Sequence, residues 1–198
     1  MYNNADLYGS VHKNMEFYEK QIDSKAAYKG IIVNVWRDIA ELQNGYQAVR
    51  EVVEHPGGVG IVPITDAGKV LMVRQFRYPM REELLEIPAG KLEDGEDPLV
   101  CAARELSEET GYTARRFIDL GASYPSPGYC KEILYIYLAM DLQHGEAHLD
   151  DNELLSVEEI ALDELIDRIM ANELPDGKTV IGIMKAKRYL ESIKQEGK

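Results

Sequence analysis

The sequence predicts a mixed α/β fold of the α+β kind, with much of its strand pairing done by hairpins. Three features carry that reading. Apolar, β-branched runs recur before, between and after helical patterns. Short turn signals join several of these runs. One helix in the middle of the chain carries a start signal and a stop signal.

Residues 1–25 are polar and weakly patterned, which suits a loose arm or a short helix. Residues 29–42 and 46–54 are rich in Val, Ile, Tyr and Trp, with Gln43-Asn44-Gly45 between them. Asn-Gly between such runs is a strong hairpin signal, because both residues tolerate positive φ. A lone hairpin is marginal in water, so this one needs something to pack on. Gly57-Gly58 breaks the pattern. Strands are expected at 59–64 and 69–77, joined by a turn at Asp66-Ala67-Gly68, and again at 84–90. The helix that follows has Asp97 as N-cap, Pro98 at its first position and Gly111 just past its end. Leu99, Ala102, Ala103 and Leu106 are its expected apolar stripe. Residues 132–142 and 154–160 read as strands, and 162–172 and 179–195 as helices. A boundary near His55–Gly58 divides an N-terminal β element, residues 1–56, from a main domain over 57–198.

With 198 residues and 45% hydrophobic content, the chain can build one full core plus a small appended element. Its net charge of -13 and lack of a Lys/Arg run argue against sequence-independent nucleic-acid binding. Cys101 and Cys130 have no metal-ligand spacing, and two thiols in a chain of this size read as reduced and cytoplasmic. No secretory signal precedes the first strands, and no run approaches the length of a membrane span. A soluble cytoplasmic protein is expected. His144 and His148 are four apart, but no third ligand has convincing spacing for zinc. Cys101 falls inside the central helix and reads as a small core residue rather than a nucleophile.

The stretch with the most chemistry runs from Gly90 to Tyr112, GKLEDGEDPLVCAARELSEETGY. On the expected helix, Glu105, Glu108 and Glu109 share one face through i,i+3 and i,i+4 spacing. Like charges so placed repel, whereas hard divalent cations seek such oxygen ligands. Arg104 lies four residues before Glu108 and can pair with it. Glu96 sits at the helix start, where the dipole favours an anion.

Gly90, five residues, Glu96, seven residues, then Arg104-Glu105-Leu106-Ser107-Glu108-Glu109-Thr110-Gly111-Tyr112 resembles the Nudix box at every defined position. The resemblance implies a Nudix fold, with mixed β-sheets sandwiched between helices. It also implies a metal-dependent hydrolase of a nucleoside diphosphate linked to another group, using Mg²⁺ or Mn²⁺. By the same resemblance Glu105 and Glu109 are the main metal ligands, with Glu108 close by, and Arg104 orients a glutamate.

The flanks are similar to the ADP-ribose pyrophosphatase branch at 50–64, 73–79, 86–90, 126–139, 150–157 and 175–182. That similarity implies a further metal ligand in the Ala89 carbonyl. It also implies a ligand or catalytic base in Glu153, with Asp151 as the second candidate. Read alone, Asp150-Asp151-Asn152-Glu153 is an ordinary exposed loop. Arg77 and Arg50 are candidates for the diphosphate, since an arginine fork matches phosphate oxygens; a surface ion pair is the competing reading of each. Trp36 and Tyr46 are candidates for stacking on adenine, with plain hairpin packing as the alternative, and Glu86 is a further substrate contact. The branch also implies a homodimer that exchanges the N-terminal element.

The expected reaction is ADP-ribose plus water giving AMP and ribose 5-phosphate. Alternatives are another nucleoside-diphosphate sugar, such as GDP-mannose or ADP-glucose, or a domain that senses a nucleotide without cleaving it.

Overall fold

The computed structural model describes residues 16–145 and 154–196. Contacts group the chain into two units: residues up to Pro56 together with Ser126–Glu132, and Gly57–Pro125 together with Ile133–Lys198.

The first unit is an antiparallel sheet in the order β1 (Glu19–Lys29), β2 (Asn34–Leu42), β3 (Gln47–Glu54). The β2–β3 turn lies where Asn44-Gly45 places it, and Gly45 has φ 79. Strand β1 differs from the expected arm or short helix. Every residue along it is exposed, so it carries no apolar alternation to read. Its pairing with β2 rests on the backbone ladder and on polar side chains: Ser24 Oγ (2.6 Å) and Gln21 Nε2 (3.0 Å) both donate to Asp38. Residues 126–132 join this unit through Val53, whose N–H donates to the Tyr129 carbonyl at 2.7 Å and whose carbonyl accepts from Lys131 at 2.9 Å.

The second unit holds β4 (Gly58–Pro63), β5 (Lys69–Arg77), β6 (Glu82–Glu86), β7 (Ala89–Lys91), α1 (Pro98–Thr110), β8 (Tyr112–Ser123), β9 (Leu134–His144), β10 (Leu155–Ala161), α2 (Leu162–Met170) and α3 (Gly177–Glu196). One sheet runs β10-β5-β6 and the other β7-β4-β9-β8, with β4 and β9 parallel. The single run expected at 84–90 is two strands in different sheets. The switch comes at Ile87-Pro88, where Pro88 has no N–H to give a ladder and its carbonyl accepts from Ile61 N at 2.8 Å. This crossing carries the chain from the β5–β6 pair to Ala89 and Gly90. Strand β8, which the sequence reading leaves unassigned, is the edge partner of β9.

Strand β4 is buried on both faces, as its unbroken apolar run requires. Val59 and Ile61 pack with Cys101, Ala102 and Leu106 of α1, and with Tyr137 and Ala139 of β9. Val62 and Leu138 face the opposite way. There they join Met72, Leu85 and Ile87 to Leu165 and Ile169 of α2 and Ile183 and Ala186 of α3. The four-stranded sheet is thus covered by α1 on one face, and its other face shares a core with α2, α3 and the second sheet. Gly182 permits close contact of α3: a Cβ there would lie 3.0 Å from Val62 and from Ile87.

Candidate active site around the Gly90–Tyr112 segment

Helix α1 begins and ends as its sequence dictates. Asp97 Oδ1 accepts from the N–H groups of Leu99 (2.9 Å) and Val100 (3.3 Å), Pro98 opens the helix, and Gly111 closes it at φ 72. Its buried face differs from the expected stripe, because Leu99 and Ala103 are exposed. Cys101, Ala102, Glu105, Leu106, Glu109 and Thr110 are buried, and among them Ala102, Glu105, Leu106 and Glu109 form an i, i+3, i+4, i+7 set that contains two carboxylates. A search for apolar periodicity passes over those positions for that reason.

Arg104 organises the acidic side chains. Its Nε and Nη2 form a fork on Glu96 at 2.9 Å each, while Nη1 donates to Glu105 at 2.8 Å and to Glu108 at 3.0 Å. The fork, aided by the Glu93 N–H, holds the Glu96 carboxyl down at about 2. The surrounding carboxylates push the Arg104 pKa further upward, its bond to Glu96 foremost. Cys101 is fully buried beneath this cluster, and burial pushes its thiol up to about 12, so it is no nucleophile.

Glu105 and Glu109 meet the crossing strand. Glu109 Oε2 accepts the Ala89 N–H at 3.0 Å. Glu105 occupies the space over Gly90: a Cβ at that residue would stand 1.8 Å from the Glu105 Cδ and Oε1. Only glycine leaves room for the carboxylate. The two residues are 7% and 2% exposed, which is rare for glutamates and needs compensation by cations or donors. These residues fit a hard divalent ion. They are paired oxygen donors on adjacent turns, set against backbone at the Ala89-Gly90 bend. Among the described residues, no group of three acidic, His or Cys side chains is gathered as a ligand set. Asp151 and Glu153 lie outside the described residues, as does His148. The His144 ring stands edge-on to Tyr112 at 4.8 Å.

Arg77 and Glu86, on neighbouring strands, form a second charged group. Arg77 Nε and Nη2 donate to Glu86 at 2.8 and 2.5 Å. Lys178 Nζ donates to the same carboxylate, and to Asp176 at 3.0 Å. Glu86 is expected as a substrate contact, but it is 1% exposed and both its oxygens are taken by these cations. Burial alone would raise its pKa, and the hydrogen bonds and charges of Arg77 and Lys178 outweigh that and hold it low. Arg77 is raised by Glu86 first, and also by the charges of Asp176 and of Glu109 on α1. The sequence reading covers 175–182 but assigns no role to Asp176, Lys178 or Thr179. The available signal is Asp-Gly-Lys-Thr at a helix start.

Arg50, Trp36 and Tyr46 lie in the first unit. Arg50 forms a fork on Glu19 at 2.8 and 2.6 Å. Trp36 Nε1 donates to Glu54 at 3.0 Å and lines a recess with Gln21, Ser24, Asp38, Val52 and Lys131. Tyr46 is exposed beside the hairpin turn. Among the described residues, no helix is long and apolar enough to cross a membrane.

Comparison with known proteins agrees with this geometry. The chain is 41% identical over 167 residues to the ADP-ribose pyrophosphatase of Bacillus subtilis (strain 168), covering 83% of this chain and 90% of the relative. It is 43% identical over 169 residues to the methanol dehydrogenase activator of Bacillus methanolicus, covering 84% and 91%. A crystal structure of an ADP compounds hydrolase superposes with a TM-score of 0.79 at 22% identity, over 88% of this chain and 95% of that one. The NUDIX domain model matches residues 54–180, a span that includes the Gly90 bend, the whole of α1 and the start of α3. With that span and those carboxylates in place, the chain belongs to the Nudix family.

Proposed function

We propose that the protein hydrolyses the diphosphate of ADP-ribose, giving AMP and ribose 5-phosphate, with Mg²⁺ as the preferred ion and Mn²⁺ as a substitute. The observation that carries the chemistry is the pair of buried carboxylates, Glu105 and Glu109, set against Ala89 and Gly90. The choice of substrate is supported by the extent of similarity to the Bacillus subtilis ADP-ribose pyrophosphatase.

Nudix hydrolases generally use divalent ions. When bound, the ion supplies charge neutralisation at the diphosphate and acidifies the attacking water. Glu105 and Glu109 hold it, with the Ala89 carbonyl and Glu153 as further ligands. Arg104 orients Glu105 and Glu108 through its shared Nη1. Arg77 offers donors to a phosphate oxygen. Glu153 or Asp151 takes the proton from water. Trp36 and Tyr46 stack on the base, and Arg50 adds a cation for the diphosphate.

A homodimer built through the first unit completes this reading. It is supported by the apolar side chains that unit leaves in solvent, among them Phe17, Ile22, Tyr28 and Ile31. Two free cysteines suit a cytoplasmic location.

The deciding experiment is a hydrolysis screen with Mg²⁺ on ADP-ribose, GDP-mannose, ADP-glucose and NADH, beside a Glu109→Gln control. ADP-ribose should be cleaved fastest, and the control should be inactive. A faster second nucleotide sugar would replace the substrate, and binding without cleavage would replace the enzyme with a sensor. The likeness to the methanol dehydrogenase activator favours one further reading, action on a dehydrogenase partner. Adding methanol dehydrogenase to the same assay and following its turnover tests it.

A further inference from the structure

Lys178 is in an unusual place for a lysine. It lies in the first turn of α3, where the helix dipole disfavours a cation, and its side chain is only 10% exposed. What holds it there is a chain of alternating charge. Asp176 caps the helix, accepting the Thr179 N–H at 3.0 Å and the Thr179 hydroxyl at 2.6 Å. The same Asp176 oxygen accepts from Lys178, and Lys178 reaches on to Glu86. Glu86 in turn grips Arg77 through both its oxygens. Thr179 locks this helix start to the strand crossing, since its Oγ1 accepts the Ile87 N–H at 2.9 Å.

The far end of the chain is the part that faces chemistry. The fork on Glu86 uses Nε and Nη2 of Arg77, and Nη1 makes no hydrogen bond among the described residues. The Arg77 side chain is 36% exposed, against 1% for Glu86. Lys178 is also paired with Asp176, so two cations and two carboxylates balance, and Lys178 takes the Glu86 oxygen that Arg77 Nη2 shares. Without Lys178, both Glu86 oxygens would serve Arg77 alone, and the fork would draw the guanidinium further inward.

We propose that Lys178 is a positioning residue for substrate binding, which acts through Glu86 to set the orientation in which Arg77 meets the diphosphate. This rests on the reading of Arg77 as a diphosphate contact. It assigns Glu86 to holding that arginine instead of touching substrate, and it makes the start of α3 part of the substrate site.

The test is a double-mutant cycle on KM and kcat for ADP-ribose, with Lys178→Met, Arg77→Ala and the double variant. Lys178→Met should raise KM by about tenfold and leave kcat within about twofold of the parent, the pattern of lost ground-state binding. Arg77→Ala should raise KM further, and in that background Lys178→Met should add less than about twofold, because the residue through which it acts is gone. A purely structural lysine would instead multiply its effect in full in both backgrounds, and that result overturns the proposal while leaving Arg77 as a diphosphate ligand. Arg77→Ala with the parent KM overturns the diphosphate reading itself, and the proposal with it. Should any variant of the cycle fail to fold, Lys178→Gln and Arg77→Gln, each of which keeps a long side chain and a donor toward Glu86, are carried through the same cycle with the same criteria.

Discussion

The Glu105 carboxylate lies where a side chain at Gly90 would begin, so that an added Cβ would come within 1.8 Å of it. The glycine and the glutamate are therefore one feature. Gly90→Ala must push Glu105 off its position, and displacement on the order of 1 Å near reacting groups lowers rates by roughly 10²-fold. We expect that loss in kcat/KM, with a stability loss of about 1–3 kcal/mol from overpacking, read by urea unfolding. Activity within a few-fold of the parent would show that Glu105 has another position to work from.

Thr179 should matter to stability out of proportion to its size. It is 0% exposed, and its hydroxyl bonds Asp176 on one side and the Ile87 N–H on the other. Thr179→Val keeps the shape and strands a buried N–H, a loss of about 1–3 kcal/mol. Thr179→Ser should retain most of the stability. Guanidinium unfolding of the two variants distinguishes them, and equal losses would contradict the hydrogen-bonding role.

The Glu96–Arg104 fork predicts a pH dependence of stability. The folded carboxyl is depressed to about 2 from its ordinary 4.5, so its contribution is present above the unfolded pKa and is lost as pH falls through the folded one. Thermal unfolding followed from pH 5 down to pH 2 should show the midpoint falling. Glu96→Gln should be flatter across that window. A variant with an unchanged slope would locate the acid sensitivity in other carboxylates.

Cys101 should resist alkylation in the folded protein, because burial holds its thiol at about 12. Iodoacetamide at pH 8 should modify Cys130 at most, and both cysteines once guanidinium is added. Peptide mass mapping reads this directly, and rapid native labelling of Cys101 would mean that α1 opens easily from its sheet.

What the sequence made legible was local chemistry. Asp97, Pro98 and Gly111 mark the ends of α1, and Asn44-Gly45 marks the hairpin, because each acts through its own backbone. The Gly90–Tyr112 spacing pointed to the carboxylate pair for the same reason. Features that depend on distant partners stayed hidden. Strand β1 has no buried face and so no period, and β8 took its role from β9. Ala102 and Leu106 are buried as their spacing predicts, but Leu99 and Ala103 are exposed and Glu105 and Glu109 are buried beside them, against the Ala89-Gly90 bend. Glu86 read as a substrate contact because its two cations come from Arg77, nine residues before it, and Lys178, 92 residues after it.

The shared carboxylate also constrains how the chain can change over time. A buried Glu86 that loses either cation becomes an under-compensated charge, which is strongly destabilising, whereas losing the whole set to well-packed apolar residues can be neutral. Positions 77, 86 and 178 are thus open to joint replacement and closed to most single steps.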